Sequence, residues 1–302
     1  MNTKISSTEL KQLVDRDGIV VIDVMTPEEY EARHIPGAHN ACVYEMAFLD
    51  RMADLAVDRA ATLVVYDATG NTQAGETARE KLLQAGYRSV SILAGGLAAW
   101  RSAGYPIEGS NPDGIAAASL PDGNYAIDVK TSKLEWIGRN INKRHYGAIA
   151  IAGGELTLHN GRPAKGRIEV DMRSIRDLDL EDEGWNSLLI RHLKSDDFFA
   201  VDRFPTARFE LTGWEPLTEA TPGTPNGVAI GLLTIKNTAR PVRFPADISP
   251  EVDGSLRAHA AFDIDRILWN VNYGSGKLYE RLGMHLVHDL ISIELFIAAM
   301  RS

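Results

Sequence analysis

The chain of 302 residues is predicted to fold as two unlike parts, an α/β unit built on a parallel sheet and then an all-β antiparallel unit. Two patterns predict this. Up to about residue 108, continuous apolar runs alternate with helical stretches, which is the rhythm of a parallel sheet covered by helices. From about residue 124 the period changes to strict polar–apolar alternation, the mark of strands with one face buried. Between them, residues 109–123 are rich in Gly, Pro, Ser and Ala and read as a linker.

In the first part, Ser6-Ser7-Thr8-Glu9 forms a capping box ahead of Leu10 and Leu13. Gly18 to Val24 is a continuous apolar strand, and Thr26-Pro27-Glu28-Glu29 supplies an N-cap, a first-turn proline and two acids for a helix. Leu63-Val64-Val65-Tyr66 is a second strand, followed by a small loop and a helical pattern from Glu76 that stops at Gly86. Val90 to Leu93 is a third strand, and Gly95-Gly96-Leu97-Ala98-Ala99-Trp100 opens a short helix. In such sheets ligands meet the carboxyl ends of the strands, where the loop Asp67-Ala68-Thr69-Gly70-Asn71-Thr72 stands. A strand, a Gly-containing loop and a helix start form a cradle for an anion.

These residues resemble a rhodanese domain. The carriers are Ile22-Asp23-Val24 with Pro27-Glu28-Glu29-Tyr30, His34-Ile35-Pro36-Gly37-Ala38, the Gly95–Trp100 stretch and Gly104-Tyr105-Pro106, together spanning most of residues 5–108. The resemblance implies a loop that begins with a persulfide-carrying cysteine and holds an arginine five residues later. Here those positions are Asp67 and Thr72, and Met25 stands where arginine is common after the first strand. A carboxylate cannot accept sulfane sulfur as a thiolate does, so sulfurtransferase activity is not expected and the loop reads as vestigial. Asp67 is expected to accept hydrogen bonds from the loop N–H groups. Cys42, the only cysteine, and Asp67 remain the candidates for an alternative, transferase reading.

In the second part, alternation runs through Arg167–Met172, Ala207–Leu211, Val242–Ile248, Phe262–Asp265 and Ile291–Leu295. With Tyr125–Val129, Lys133–Gly138, Gly147–Ala152, Glu155–His159 and Val228–Ile235, eight or more strands are expected, enough for a barrel or a sandwich. Leu178 to Leu193 departs from this, with helical spacing at Trp185, Leu188, Leu189 and Leu193.

This half is similar to the YceI-like lipid-binding family. The residues that carry the similarity are Trp136-Ile137-Gly138, His145-Tyr146-Gly147, Val170-Asp171-Met172-Arg173-Ser174-Ile175, His192 to Phe199, Phe204 to Phe209, Gly231 to Lys236, Ile264-Asp265-Arg266 and Tyr273 to Gly276. The resemblance implies a lipocalin-like, eight-stranded antiparallel β-barrel over residues 124–302. Its interior would hold a long apolar molecule: a polyisoprenoid, an isoprenoid quinone or a fatty acyl derivative. Trp136, Phe209, Phe244 and Phe262 alternate with polar neighbours and are the inward candidates, and Phe198 and Phe199 stand where a lid or plug would begin.

Composition narrows the remaining classes. Net charge is −9, both halves are acidic, and no five-residue basic cluster occurs, which argues against nucleic acid as the main partner. One cysteine leaves no disulfide framework and no cysteine-based zinc site. No apolar run is long enough for a membrane span, and the first residues lack a secretory pattern, so a cytoplasmic protein that is not integral to a membrane is expected. His285-x-x-His288 and Gly274-Ser275-Gly276-Lys277 are fragments of metal and phosphate motifs, and the second lacks the residues a Walker loop requires. Neither a metal nor a cofactor is expected beyond a bound isoprenoid-type lipid. The expected function is lipid binding by the barrel with an inactive rhodanese-like docking module that meets a protein partner; the alternatives are a transferase and a quinone- or haem-binding redox carrier.

Overall fold

In the computed structural model, the apolar runs of the first hundred residues lie side by side as a five-stranded, wholly parallel sheet. The structure describes residues 3–14, 19–55, 58–112, 120–218, 220–221, 223–251 and 253–302. Gly18, expected to start a strand, and residues 113–119 of the expected linker lie outside the described residues. Contacts divide the chain into two units, Met1–Ile115 and Ala116–Ser302.

The first unit runs β1 (Lys4–Ile5), α1 (Ser7–Val14), β2 (Ile19–Asp23), α2 (Pro27–Ala32), β3 (His39–Asn40), α3 (Phe48–Asp54), β4 (Thr62–Tyr66), α4 (Ala74–Gln84), β5 (Ser89–Leu93) and α5 (Gly96–Ser102). Sheet order is β1-β5-β4-β2-β3. Alternate residues of β4 feed two cores: Leu63 and Val65 pack with Phe48, Met52, Ala78 and Leu82, whereas Val64 and Tyr66 pack with Leu10, Leu97 and Trp100. Burial on both faces is why these strands read as unbroken apolar runs. The helix starts follow their local signals. Ser6 Oγ accepts from Glu9 N at 3.2 Å while Ser6 N donates to Glu9 Oε2 at 2.7 Å, and Thr26 caps α2. The two-residue edge strands β1 and β3, and helix α3, carry too little pattern to be read in advance.

The second unit runs β6 (Gly123–Ile127), β7 (Lys133–Arg139), β8 (Arg144–His159), β9 (Arg162–Asp177), α6 (Glu183–Lys194), β10 (Thr206–Pro216), β11 (Gly227–Ile235), β12 (Thr238–Pro250), β13 (Leu256–Asp265), a 3-10 turn (Arg266–Trp269) and β14 (Leu290–Arg301). Every pairing is antiparallel, and β14 closes the sheet by pairing with β13 on one side and with β6 and β7 on the other. β6 and β7 both pair with β8 as well, so they fill a single place and the barrel has eight positions. The break between them is patched by a side chain. Ser132, buried, donates from Oγ to Ala298 O at 3.2 Å and accepts from Ala298 N at 3.0 Å, standing in for the missing ladder.

Two expected strands, Gly147–Ala152 and Glu155–His159, are one strand, β8, of 16 residues. The interruption read at Gly153-Gly154 is a register shift between Ile151 and Gly153 that keeps the pairing with β9 continuous. At Gly147 a side chain is excluded. A Cβ there would lie 1.9 Å from Arg176 O and 2.7 Å from the indole of Trp136, its cross-strand partner, which covers it from inside.

Candidate functional site

Two places can carry function, the loop after β4 and the barrel lumen. In the loop, Asp67 is 4% exposed. Its Oδ1 accepts from Thr69 N at 3.2 Å and from Gly70 N, and its Oδ2 accepts from Thr72 Oγ1 at 2.5 Å. The loop amides that would cradle a bound anion therefore close on a carboxylate belonging to the chain. Gly95 and Gly96 cover it from the start of α5. Both have positive φ, and a Cβ on Gly96 would lie 2.3 Å from Asp67 O. Ala68 O accepts from Ala98 N at 2.9 Å and Asn71 N donates to Thr69 Oγ1 at 3.4 Å, so the loop is bonded along its length. Cys42 is buried among residues that follow β3, where Ala41 N and Val43 N donate to Asp23 O and Val24 O. Below the loop, burial pushes the Asp23 carboxyl up to about 6, the Met25 N–H and the Tyr66 hydroxyl opposing it.

The lumen holds a cavity of about 280 Å³ at the end covered by α6. Of the aromatic residues singled out from the sequence, Trp136, Phe198 and Phe199 line it. Asp182 caps α6 by accepting from Trp185 N at 2.9 Å, and the helix turns Leu189 and Leu193 onto the cavity while Trp185 and Leu188 stay exposed. After the helix, Phe199 N donates to Leu193 O at 3.1 Å and Lys236 Nζ donates to Phe198 O at 3.0 Å, which pins the two phenylalanines over the opening.

Phe209 and Phe244 line a second, smaller cavity of about 90 Å³ with Leu211 and Trp214. Phe262 stacks on Phe244 with ring centroids 3.9 Å apart and planes 5° apart. Phe262 and Val242 pack both with the residues around the large cavity and with those around the small one. Five of the six aromatics thus line one cavity or the other, while Phe262, expected to line the interior, lines neither and stands, stacked on Phe244, at the waist where the two sets of residues meet.

One end of the large cavity is polar. Arg266 is 1% exposed and donates from Nε to His288 O at 3.1 Å, from Nη1 to Val271 O at 2.5 Å and from Nη2 to Val287 O at 3.1 Å. Burial lowers its pKa from the usual guanidinium value, and Asp289 and Asp265 oppose that. Its guanidinium sits 5.6 Å from the Phe198 ring. His192 packs edge-on to Phe198 and Tyr273, and His145 also lines the wall. Asp177, Asp179 and His145 converge just outside. Burial raises the Asp177 carboxyl; burial works in the same sense on Asp179, but the Tyr146 N–H and His145 hold that group below the ordinary carboxylate value. His285 and His288 do not come together as a metal pair: the 3-10 turn Gly283–His285 ends before His288, whose N–H donates to Arg139 O. Lys277 bonds Asp265 Oδ2 at 2.8 Å and serves as an ion-pair partner.

Residues 125–299 match the YceI-like domain. The chain belongs to the YceI-like family. Residues 6–103 match the Rhodanese-like domain, so a rhodanese-like unit precedes the YceI-like barrel. Among curated proteins, the chain is 36% identical over 110 residues to the HTH-type transcriptional regulator Rv0324 of Mycobacterium tuberculosis, covering 36% of this chain and 46% of that one. It is 34% identical over 100 residues to the thiosulfate sulfurtransferase GlpE of Pseudomonas fluorescens, covering 33% of this chain and 85% of that enzyme. The chain spans about half the length of the first two curated relatives it matches, 46% and 55%. Among solved structures it is similar to a polyisoprenoid binding domain from Saccharophagus degradans, at 9% identity and a TM-score of 0.45, over 59% of this chain and 98% of that one. No helix among the described residues is long and apolar enough to cross a membrane.

Within the YceI-like barrel, the sequence offers His145 and His192 only as contributors to a metal site with His285 and His288, and Arg266 only as an ion-pair or turn residue. None of them, nor Tyr273, is marked as lining the lumen, because alternation marks only apolar inward positions. All four lie in the stretches that carry the family resemblance, which is the signal that could have flagged them.

Proposed function

We propose that the YceI-like barrel binds one long apolar lipid of polyisoprenoid, isoprenoid quinone or fatty acyl type, and that the rhodanese-like unit is a docking module without sulfur transfer. The domain limits that go with this reading are 1–108 and 124–302, joined by 109–123. The observation that carries it is the large cavity inside a closed barrel, lined by Trp136, Phe198, Phe199 and aliphatic side chains. An interior that only stabilised the fold would pack solid. Each CH₂ moved from water into such a space contributes about 0.8 kcal/mol, so roughly ten of them give about 8 kcal/mol before the costs of association. Trp136, Phe198 and Phe199 would contact one part of the lipid, Phe244 and Phe262 its passage through the waist, and Phe209 the part beyond.

For the first unit, the reading rests on Asp67. Its carboxylate accepts the loop's hydrogen bonds and offers no sulfur nucleophile. Organic extraction of the purified full chain followed by mass spectrometry tests the lipid. Recovery of no lipid, together with no uptake of an added isoprenoid, rejects the reading. A thiosulfate:cyanide transfer assay tests the first unit, and turnover by the unmodified protein rejects its inactivity.

A further inference from the structure

We propose that His145, Asp177 and Asp179 form a binding site for a divalent transition-metal cation of the Zn²⁺ type. The register of β8 and β9 sets Gly147 opposite Asp177, and Leu178 N donates to Tyr146 O, so the end of β9 carries both carboxylates past the imidazole. One donor atom from each of the three residues lies within 4.8 Å of the others.

Asp177 is the decisive member. It is 7% exposed, and its Oδ1 is held by Asp179 N at 3.2 Å, Leu180 N at 2.8 Å and Asn186 Nδ2 at 3.3 Å. Its Oδ2 is buried and has no hydrogen-bond partner. Two carboxylates and an imidazole gathered this closely, one carboxylate with a buried oxygen that receives no N–H, make an arrangement that a cation completes. No Lys or Arg makes an ion pair with Asp177 or Asp179 among the described residues; the partner found is His145, whose Nδ1 is 3.0 Å from Asp179 Oδ2. Donor atoms around a tetrahedral Zn²⁺ stand about 3.3 Å apart, close to that separation. One imidazole and two carboxylates suit a borderline cation better than Ca²⁺ or Mg²⁺, which take mostly oxygen and more ligands. His145 and Asp179 side chains are each 20% exposed, which leaves a way in. The site stands independently of the lipid reading.

Isothermal titration of the EDTA-stripped full chain with Zn²⁺ is the test, run on the unmodified protein and on Asp177→Asn, His145→Gln and His285→Ala. One saturable site is expected, weakened at least tenfold in Asp177→Asn and in His145→Gln and unchanged in His285→Ala. Asn retains the Oδ1 acceptor that the loop needs. If Asp177→Asn nevertheless fails to fold, His145→Gln decides, since that side chain is partly exposed. Absence of saturable binding, or binding in the two cluster variants as tight as in the unmodified protein, overturns the proposal whether or not a lipid is found.

Discussion

Thr72 Oγ1 donates to Asp67 Oδ2 across 2.5 Å, so the position expected to hold a loop arginine instead hydrogen-bonds a carboxyl group where a thiolate would stand. These two of the three departures from the rhodanese pattern are therefore one arrangement, since each satisfies the other.

That coupling predicts how sulfur transfer responds to substitution. The unmodified protein is expected to give no thiosulfate:cyanide transfer. Asp67→Cys with Thr72→Arg restores a thiol and a cation within the same loop amides, and measurable turnover is expected. Asp67→Cys alone leaves the cation absent and should do less. A silent double variant would show that Gly95 and Gly96 close the pocket too tightly for substrate.

Asp23 predicts a pH dependence. Its carboxyl is raised from 3.8 to about 6, so between those values the folded state binds more protons than the unfolded state. The contribution of the protonated group is complete below about pH 4 and is lost as pH rises through about 6, at most about 3 kcal/mol. Urea unfolding between pH 4 and 7 checks this. Asp23→Asn should remove that part of the fall in stability, and parallel curves for the two proteins would exclude it.

The waist of the lumen predicts selectivity by ligand length. Phe262→Ala removes one ring of the Phe244–Phe262 stack and opens the large chamber toward the small one. A cost of about 3 kcal/mol in stability is expected for so large a truncation, less if the neighbours relax. Competition between isoprenoids of graded length, read by mass spectrometry, should shift toward longer chains. An unchanged length profile would place the limit elsewhere.

Ser132 predicts a stability effect unrelated to ligand. Ser132→Ala leaves buried Ala298 N without its acceptor at the break between β6 and β7. A loss of about 1–3 kcal/mol is expected in urea unfolding, with no change in lipid length preference. Ser132→Thr, which keeps the hydroxyl, should recover part of it.

The features legible in the chain are those decided within a few residues or by a repeating period. Ser6 with Glu9, and Thr26 with Pro27, set helix starts through atoms three positions apart. The run Leu63–Tyr66 announces burial on two faces, and the alternation from Arg167 to Leu295 announces burial on one. Asp67 was readable as the loop's own anion because its donors, Thr69, Gly70 and Thr72, are sequence neighbours. The strand break read at Gly153-Gly154 was a bulge instead, since pairing with β9 over a long register outweighs two glycines.

Other properties depend on residues far apart in sequence meeting in a particular register. Ser132 repairs the break between β6 and β7 by bonding Ala298, Asp177 meets His145 because β9 ends opposite Gly147, and Phe244 finds Phe262 on the neighbouring strand. Period and caps are local energies and could be read residue by residue. The two cavities of the lumen, the raised carboxyl of Asp23 and the buried oxygen of Asp177 that receives no N–H arise from burial and long-range pairing, which have no counterpart until the chain has folded.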